Sequence, residues 1–135
     1  GVLYAAGLDA AKQPHLLRRD LSQATAGWQA MAPWPGGAAA GTLIAQRGEL
    51  IVTTPAQPQD ALWRWSADNG WQALAPVPGR VVAAEGARTT GQSHVVYLLQ
   101  SADGTSRLAT FHTITRAWAV RRLKSSCGSC SGVTR

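Results

Sequence analysis

The sequence predicts an all-β chain of about three consecutive four-stranded antiparallel sheets, and three observations lead there. The first is an internal repeat. Trp28-Gln-Ala-Met-Ala-Pro-Trp-Pro-Gly36 matches Trp71-Gln-Ala-Leu-Ala-Pro-Val-Pro-Gly79 at seven of nine positions, 43 residues apart, and Trp118 follows 47 residues later. The second lies between the tryptophans, where short runs rich in Val, Ile, Leu and Thr are punctuated by Gly, Pro and Asp-Gly or Asn-Gly, the pattern of strands joined by turns. The third is the lack of amphipathic runs at a spacing of 3.6 residues, which a two-helix repeat of similar period requires. A period in the forties with four short strands is that of one β-propeller blade.

The elements follow in order. Residues 1–36 enter part-way through a unit, with strands expected at Val2–Ala6, His15–Asp20 and Trp28–Met31. Residues 37–79 hold a full unit at Ala39–Ala45, Glu49–Thr53, Ala61–Trp65 and Trp71–Leu74. Residues 80–120 repeat it at Val81–Arg88, His94–Leu99, Arg107–His112 and Trp118–Arg121, with turns at Thr90-Gly91-Gln92, Asp103-Gly104 and Thr115-Arg116. The result is an incomplete ring of about three blades, the first lacking its innermost strand. Leu50-Ile51-Val52 and Val95-Val96-Tyr97-Leu98-Leu99 are continuously apolar, as expected of inner strands covered on both faces.

Phe111-His-Thr-Ile-Thr-Arg-Ala-Trp118, Trp65-Ser-Ala-Asp-Asn-Gly-Trp71 and Tyr4-Ala-Ala-Gly7 carry a family resemblance. In the Kelch family of β-propellers an aromatic on the third strand precedes, by about seven residues, a Trp that opens the outer strand, and residues 1–120 resemble that pattern. The Gly pair that ends the Kelch inner strand is replaced by Thr53-Thr54-Pro55 and Leu99-Gln100-Ser101, which marks a divergent branch. The Trp-x-x-Leu/Met-Ala-Pro-x-Pro-Gly form is similar to bacterial propellers of the sialic-acid mutarotase (N-acetylneuraminate epimerase) type, some of which are fused to sodium:solute symporters. The resemblance implies an extracytoplasmic or periplasmic setting and a role in sugar mutarotation, sensing or uptake. A non-catalytic Kelch interaction module is the alternative.

Charge narrows the partners. Of 13 Lys+Arg and 7 Asp+Glu, the tail holds Arg121, Arg122, Lys124 and Arg135 with no acid, so the body is nearly neutral. That leaves no clustered phosphate-neutralising surface for DNA or RNA. No apolar run approaches the ~18 residues of a membrane-spanning helix. The chain begins Gly-Val-Leu-Tyr and reads as a segment of something longer, with any transporter fusion lying in the parent.

Catalytic and metal motifs are thin. His15, His94 and His112 never fall at metal-ligand spacing, so no metal or other cofactor is expected. The seven acids are scattered without a carboxylate pair, and neither a nucleophile elbow nor a phosphate loop occurs. Mutarotase-type propellers imply a Glu and an Arg in a context like Gly-Glu-x-x-Pro-Gly-x-Arg, and no loop here matches it. No catalytic residue is assigned, and the segment alone is expected to be inactive.

Propeller geometry places ligands near the links between blades and the loops between second and third strands: Leu8–Pro14, Pro33–Ala38, Pro55–Asp60, Pro76–Arg80 and Ser101–Ser106. Arg80 on such a link is the candidate clamp for a carboxylate, against a solvated or locally paired arginine. Trp34, between two prolines, is the candidate sugar-stacking platform, against a packing role. Trp28, Trp71 and Trp118 are expected to fill the wedges between blades. Residues 121–135 form a basic tail with Cys127 and Cys130, expected to be disordered; a lone Cys-x-x-Cys argues for neither zinc nor redox work. An open ring leaves apolar faces, so the isolated segment is expected to self-associate unless the remaining blades are supplied.

Overall fold

The structure, a computed structural model, describes residues 1–86 and 93–123. Eleven strands fill it, and the described residues contain no helix. Strands β1 (Val2–Leu8), β2 (Pro14–Asp20) and β3 (Gln29–Met31) form the first sheet. The second comprises β4 (Thr42–Gln46), β5 (Glu49–Thr54), β6 (Ala61–Ser66) and β7 (Gly70–Leu74). The third comprises β8 (Arg80–Gly86), β9 (His94–Gln100), β10 (Ser106–His112) and β11 (Trp118–Arg122). Every neighbour is antiparallel and sequential, and no sheet closes on itself, consistent with a fragment of an incomplete propeller.

Local chemistry sets the strand ends. Gln46 pairs with Glu49, so Arg47 and Gly48 make a two-residue hairpin, both at positive φ (53° and 76°), the twist that suits adjoining strands. The first strand of the second sheet starts at Thr42 rather than Ala39, because the indole of Trp34 takes the Ala38 carbonyl at 2.7 Å and holds that stretch as part of the link. Strand β8 is bulged between Val81 and Ala83, which leaves Val82 exposed. The expected end of that strand at Arg88 and the turn at Thr90-Gly91-Gln92 lie outside the described residues. At the other end, Arg121 and Arg122, grouped above with the tail, belong to β11, whereas Cys127 and Cys130 lie outside the described residues.

Apolar burial joins the second sheet to the third. Ile51 and Leu62 pack with Val77 of the intervening link and with Val95, Tyr97, Leu99, Ala109 and Phe111 in one cluster. Strand β5 is buried on both faces, from Leu50 through Thr54, as its unbroken apolar run predicts. Strand β9 is not. Its Val95, Tyr97 and Leu99 are fully buried while Val96 and Leu98 are only half-buried, because among the described residues the third sheet is covered by another sheet on one face alone.

Polar latches reinforce the contact at both ends. At one, the Gln46 amide donates to the His94 carbonyl at 2.7 Å and Arg47 donates to Ser93 Oγ at 3.0 Å. There Gly86 approaches so closely that a Cβ would lie 2.9 Å from Gln46 Nε2. At the other, the carboxylate of Asp60 reaches the start of β8.

The tryptophans divide by what their sheet touches. Trp71 donates its indole N–H to the Ala32 carbonyl of the preceding link at 2.8 Å and meets Trp34 edge to face at 6.0 Å, so it bridges two sheets. Trp118 stacks within its own sheet on Phe111 and Tyr97, at 4.8 and 5.4 Å. Trp28, expected to fill a wedge, is 47% exposed in this structure.

Candidate functional site

Three of the five loops expected to carry ligands converge in one place, while Leu8–Pro14 and Pro33–Ala38 do not reach it. Parts of Pro55–Asp60, Pro76–Arg80 and the start of Ser101–Ser106 line a cleft of about 600 Å³ at the junction of the second and third sheets, with Arg107 contributed by β10. Gln57, Gln59, Gln100 and Ser101 supply neutral donors and acceptors, and the lining carries two arginines and no acid.

Asp60, outside that lining, anchors the wall that carries Arg80. The residue is 5% exposed, and one carboxylate oxygen accepts from the Val81 amide at 2.9 Å while the other takes Arg80 Nε at 3.1 Å. Its backbone is tied in as well: its N–H donates to the Gly79 carbonyl at 3.2 Å, and its carbonyl accepts from Val77 at 3.0 Å. The link between sheets is therefore clamped to the loop from which Asp60 comes.

Arg80 accordingly is locally paired rather than purely solvated. Asp60 engages Nε only, the side chain is 46% exposed, and a guanidinium has four further N–H donors on its two Nη atoms. Sequence reasoning placed Arg80 at a ligand face, and the structure puts it in the cleft wall.

Arg107 escaped that reasoning because it sits in a strand, where an arginine reads as a solvated face. Its Nη2 donates to the Pro78 carbonyl at 2.6 Å, and its Nε is buried without a partner. Gly79, at φ 157°, makes room for it: a Cβ there would lie 3.0 Å from Arg107 Nη2. Two guanidiniums thus share one cleft, and only that of Arg80 is paired with the Asp60 carboxylate behind it. A desolvated, unpaired N–H beside fixed positive charge is a setting that favours an anionic oxygen over a neutral one.

Trp34 takes no part. It is 2% exposed, with its indole N–H spent on Ala38 and its ring against Trp71, so it presents no face on which a sugar could stack. Its packing alternative is the one the geometry fits. The repeat explains why: Trp34 and Val77 occupy the same place in the Pro-x-Pro-Gly link, and Val77 is fully buried too.

The histidines do not assemble a metal site. His94 and His112 meet edge to face at 4.6 Å, but His112 Nδ1 accepts from the amides of Ile114 and Thr115, which makes it a turn residue. His15 pairs with Asp9 at 2.8 Å on the first sheet. Among the described residues no group of three or more His, Cys, Asp or Glu could hold a metal ion, and there is no helix long and apolar enough to cross a membrane among them. No protein-family model matches this chain, and no curated protein matches it.

Proposed function

We propose that this chain is a segment of an extracytoplasmic, Kelch-like propeller whose Arg80–Arg107 cleft binds a carboxylated sugar of the sialic-acid class without transforming it. The observation that carries the reading is the pair of guanidiniums in one cleft, flanked by the amides of Gln57, Gln59 and Gln100 and lacking any second acid that could shuttle a proton. Arginine offers a planar fork to a carboxylate, and glutamine side chains suit sugar hydroxyls. Mutarotation needs an acid and a base at the ring oxygen and anomeric hydroxyl; Asp60, buried and committed to Val81 and Arg80, is badly placed to be either.

Calorimetry with N-acetylneuraminate tests this, with neutral N-acetylmannosamine as the control. The acidic sugar should bind and the neutral one should not. Arg80→Lys, which keeps the charge and loses the fork, should weaken binding by about tenfold, and Arg107→Lys likewise, with the melting temperature checked in each. NMR anomer exchange should run at the buffer rate. Equal affinity for both sugars would remove the carboxylate from the argument. Accelerated exchange, lost on Arg80→Ala, would make the segment an enzyme.

The interaction-module reading draws on a different region, the first sheet, where Leu3, Leu8 and Trp28 are exposed together with Leu21.

A further inference from the structure

The two junctions between sheets carry different charges. Trp65 lies opposite Trp71 as Phe111 lies opposite Trp118, and four residues back along each strand Ala61 stands where the third sheet has Arg107. Gly37 follows the first Pro-x-Pro-Gly link where Arg80 follows the second. The first and second sheets thus meet without either arginine, through Trp71 reaching Ala32 and Trp34. Joining sheets in this repeat does not require the two guanidiniums, which belong to the cleft.

Asp60 changes the charge of that cleft from behind its wall. The buried carboxylate accepts Arg80 Nε at 3.1 Å, the Val81 amide at 2.9 Å and the Ala56 amide at 3.5 Å. With three donors on it and no place in the lining, it acts on anything in the cleft through its charge rather than by contact. Two guanidiniums and one carboxylate leave a single net positive charge, and the lining holds no histidine or acid that could alter it. Arg122, opposite Arg107 across β10 and β11, lies outside the lining and within electrostatic reach of Asp103.

We propose that Asp60 sets the charge the cleft accepts, so that a monoanionic ligand is bound and a dianionic one, such as a phosphomonoester, is turned away. This rests on the reading of the cleft as a site for a carboxylated sugar and adds which anions it rejects. The cost of stripping water from an anion rises with the square of its charge, whereas its attraction to the cleft rises only in proportion. One carboxylate neutralises the single net charge. A dianion leaves an unpaired negative charge near the buried Asp60, where salt and water screen it less than at an open surface. With residue 60 uncharged, the two arginines match a dianion instead.

The test is calorimetry on the full chain at one ionic strength and two acidities, about pH 5 and about pH 7.5, on either side of the second phosphate proton at about pH 6. The ligands are N-acetylneuraminate, a monoanion at both, and N-acetylmannosamine 6-phosphate, which passes from monoanion to dianion between them. With no histidine or acid in the lining, the phosphate is the group in the cleft that changes charge over this range. The chain should bind N-acetylneuraminate equally at both, and the phosphosugar at least about tenfold more weakly at the higher pH. Asp60→Asn, its folding checked by thermal melting, should reverse that profile and bind the phosphosugar more tightly at the higher pH. Gln59→Lys, which adds a positive charge to the lining and leaves the buried carboxylate in place, should move it in the same direction. A merely structural Asp60 would weaken both ligands alike and leave the profile where it was. Tighter binding of the dianion by the unaltered chain would overturn the proposal, as would a profile unmoved in Asp60→Asn or, should that variant not fold, in Gln59→Lys. The expected phosphosugar profiles without binding of N-acetylneuraminate would uphold the charge rule and remove the sialic-acid reading; binding of neither ligand would remove both.

Discussion

Asp60, in the loop just before β6, and Arg80, at the start of β8, meet at 3.1 Å, with the same carboxylate accepting the Val81 amide through its second oxygen. One side chain thus fixes both the start of β8 and the orientation of the cleft arginine. Asp60→Ala leaves a buried amide without an acceptor and removes the counter-charge of Arg80, so it should cost about 3 kcal/mol. Asp60→Asn keeps an acceptor for one of the two donors and should cost about half as much. Urea unfolding of the two variants measures this, and equal losses would mean that the carboxylate charge contributes nothing.

Burial separates the two repeat tryptophans. Trp34→Ala opens a cavity between the first and second sheets and should cost about 3 to 5 kcal/mol. Trp28→Ala, on an exposed face, should cost less than about 1 kcal/mol. Thermal melts of both would show it; comparable losses would mean that the exposed face of the first sheet is covered in solution.

Tyr97 is fully buried with a hydroxyl that has no hydrogen-bond partner. Burial pushes its phenol well above the ordinary value of 10.0. Tyr97→Phe deletes an unsatisfied polar atom and keeps the ring contacts with Trp118, so it should be neutral or stabilise by up to about 1 kcal/mol. A loss of stability would reveal a hydroxyl partner. Spectrophotometric titration should show no phenolate from Tyr97 until well above the ordinary tyrosine range.

Three surface loops hold a carboxylate with their own backbone. Asp9 accepts the Gln13 amide and pairs with His15, Asp20 accepts the Ser22 hydroxyl and amide, and Asp103 accepts the Thr105 hydroxyl and amide. These bonds hold each carboxyl below its ordinary 3.8. The unfolded chain therefore binds protons more readily there, so the stabilisation is complete above the ordinary value and is lost as pH falls through the lowered ones. The melting temperature should be insensitive to these groups from pH 7 to about pH 5 and should fall below about pH 4. Asp20→Asn and Asp103→Asn together should flatten that acid limb, and an unchanged limb would exclude these loops as its cause.

The strand order was legible because its signals are local. Trp28-to-Gly36 against Trp71-to-Gly79 fixes the period, and turn residues such as Asp103-Gly104 sit where strands end. All eleven strands fall where that reading puts them, to within a few residues. Burial was less legible, because it depends on which neighbours exist. The runs Leu50–Val52 and Val95–Leu99 look alike as text, yet only the first is covered on both faces. The site divides in the same way. Arg80 was found from its position on a link, whereas Arg107 emerges only from the register that sets it opposite Leu99, and the burial of Trp34 only from its contact with Trp71.

The two-sided covering of β5 also decides where the chain opens last. Amide hydrogens in segments with few apolar contacts exchange through local fraying, while those at the centre of a packed unit exchange only when the whole unit unfolds. With Leu50, Ile51, Val52, Thr53 and Thr54 all but inaccessible, the hydrogen-bonded amides of this strand should form the slowest-exchanging core. Those of β1, exposed along most of its length, should exchange orders of magnitude sooner. The kinetic heart of the molecule is thus its middle sheet, with the first and third sheets as outer layers that can breathe around it.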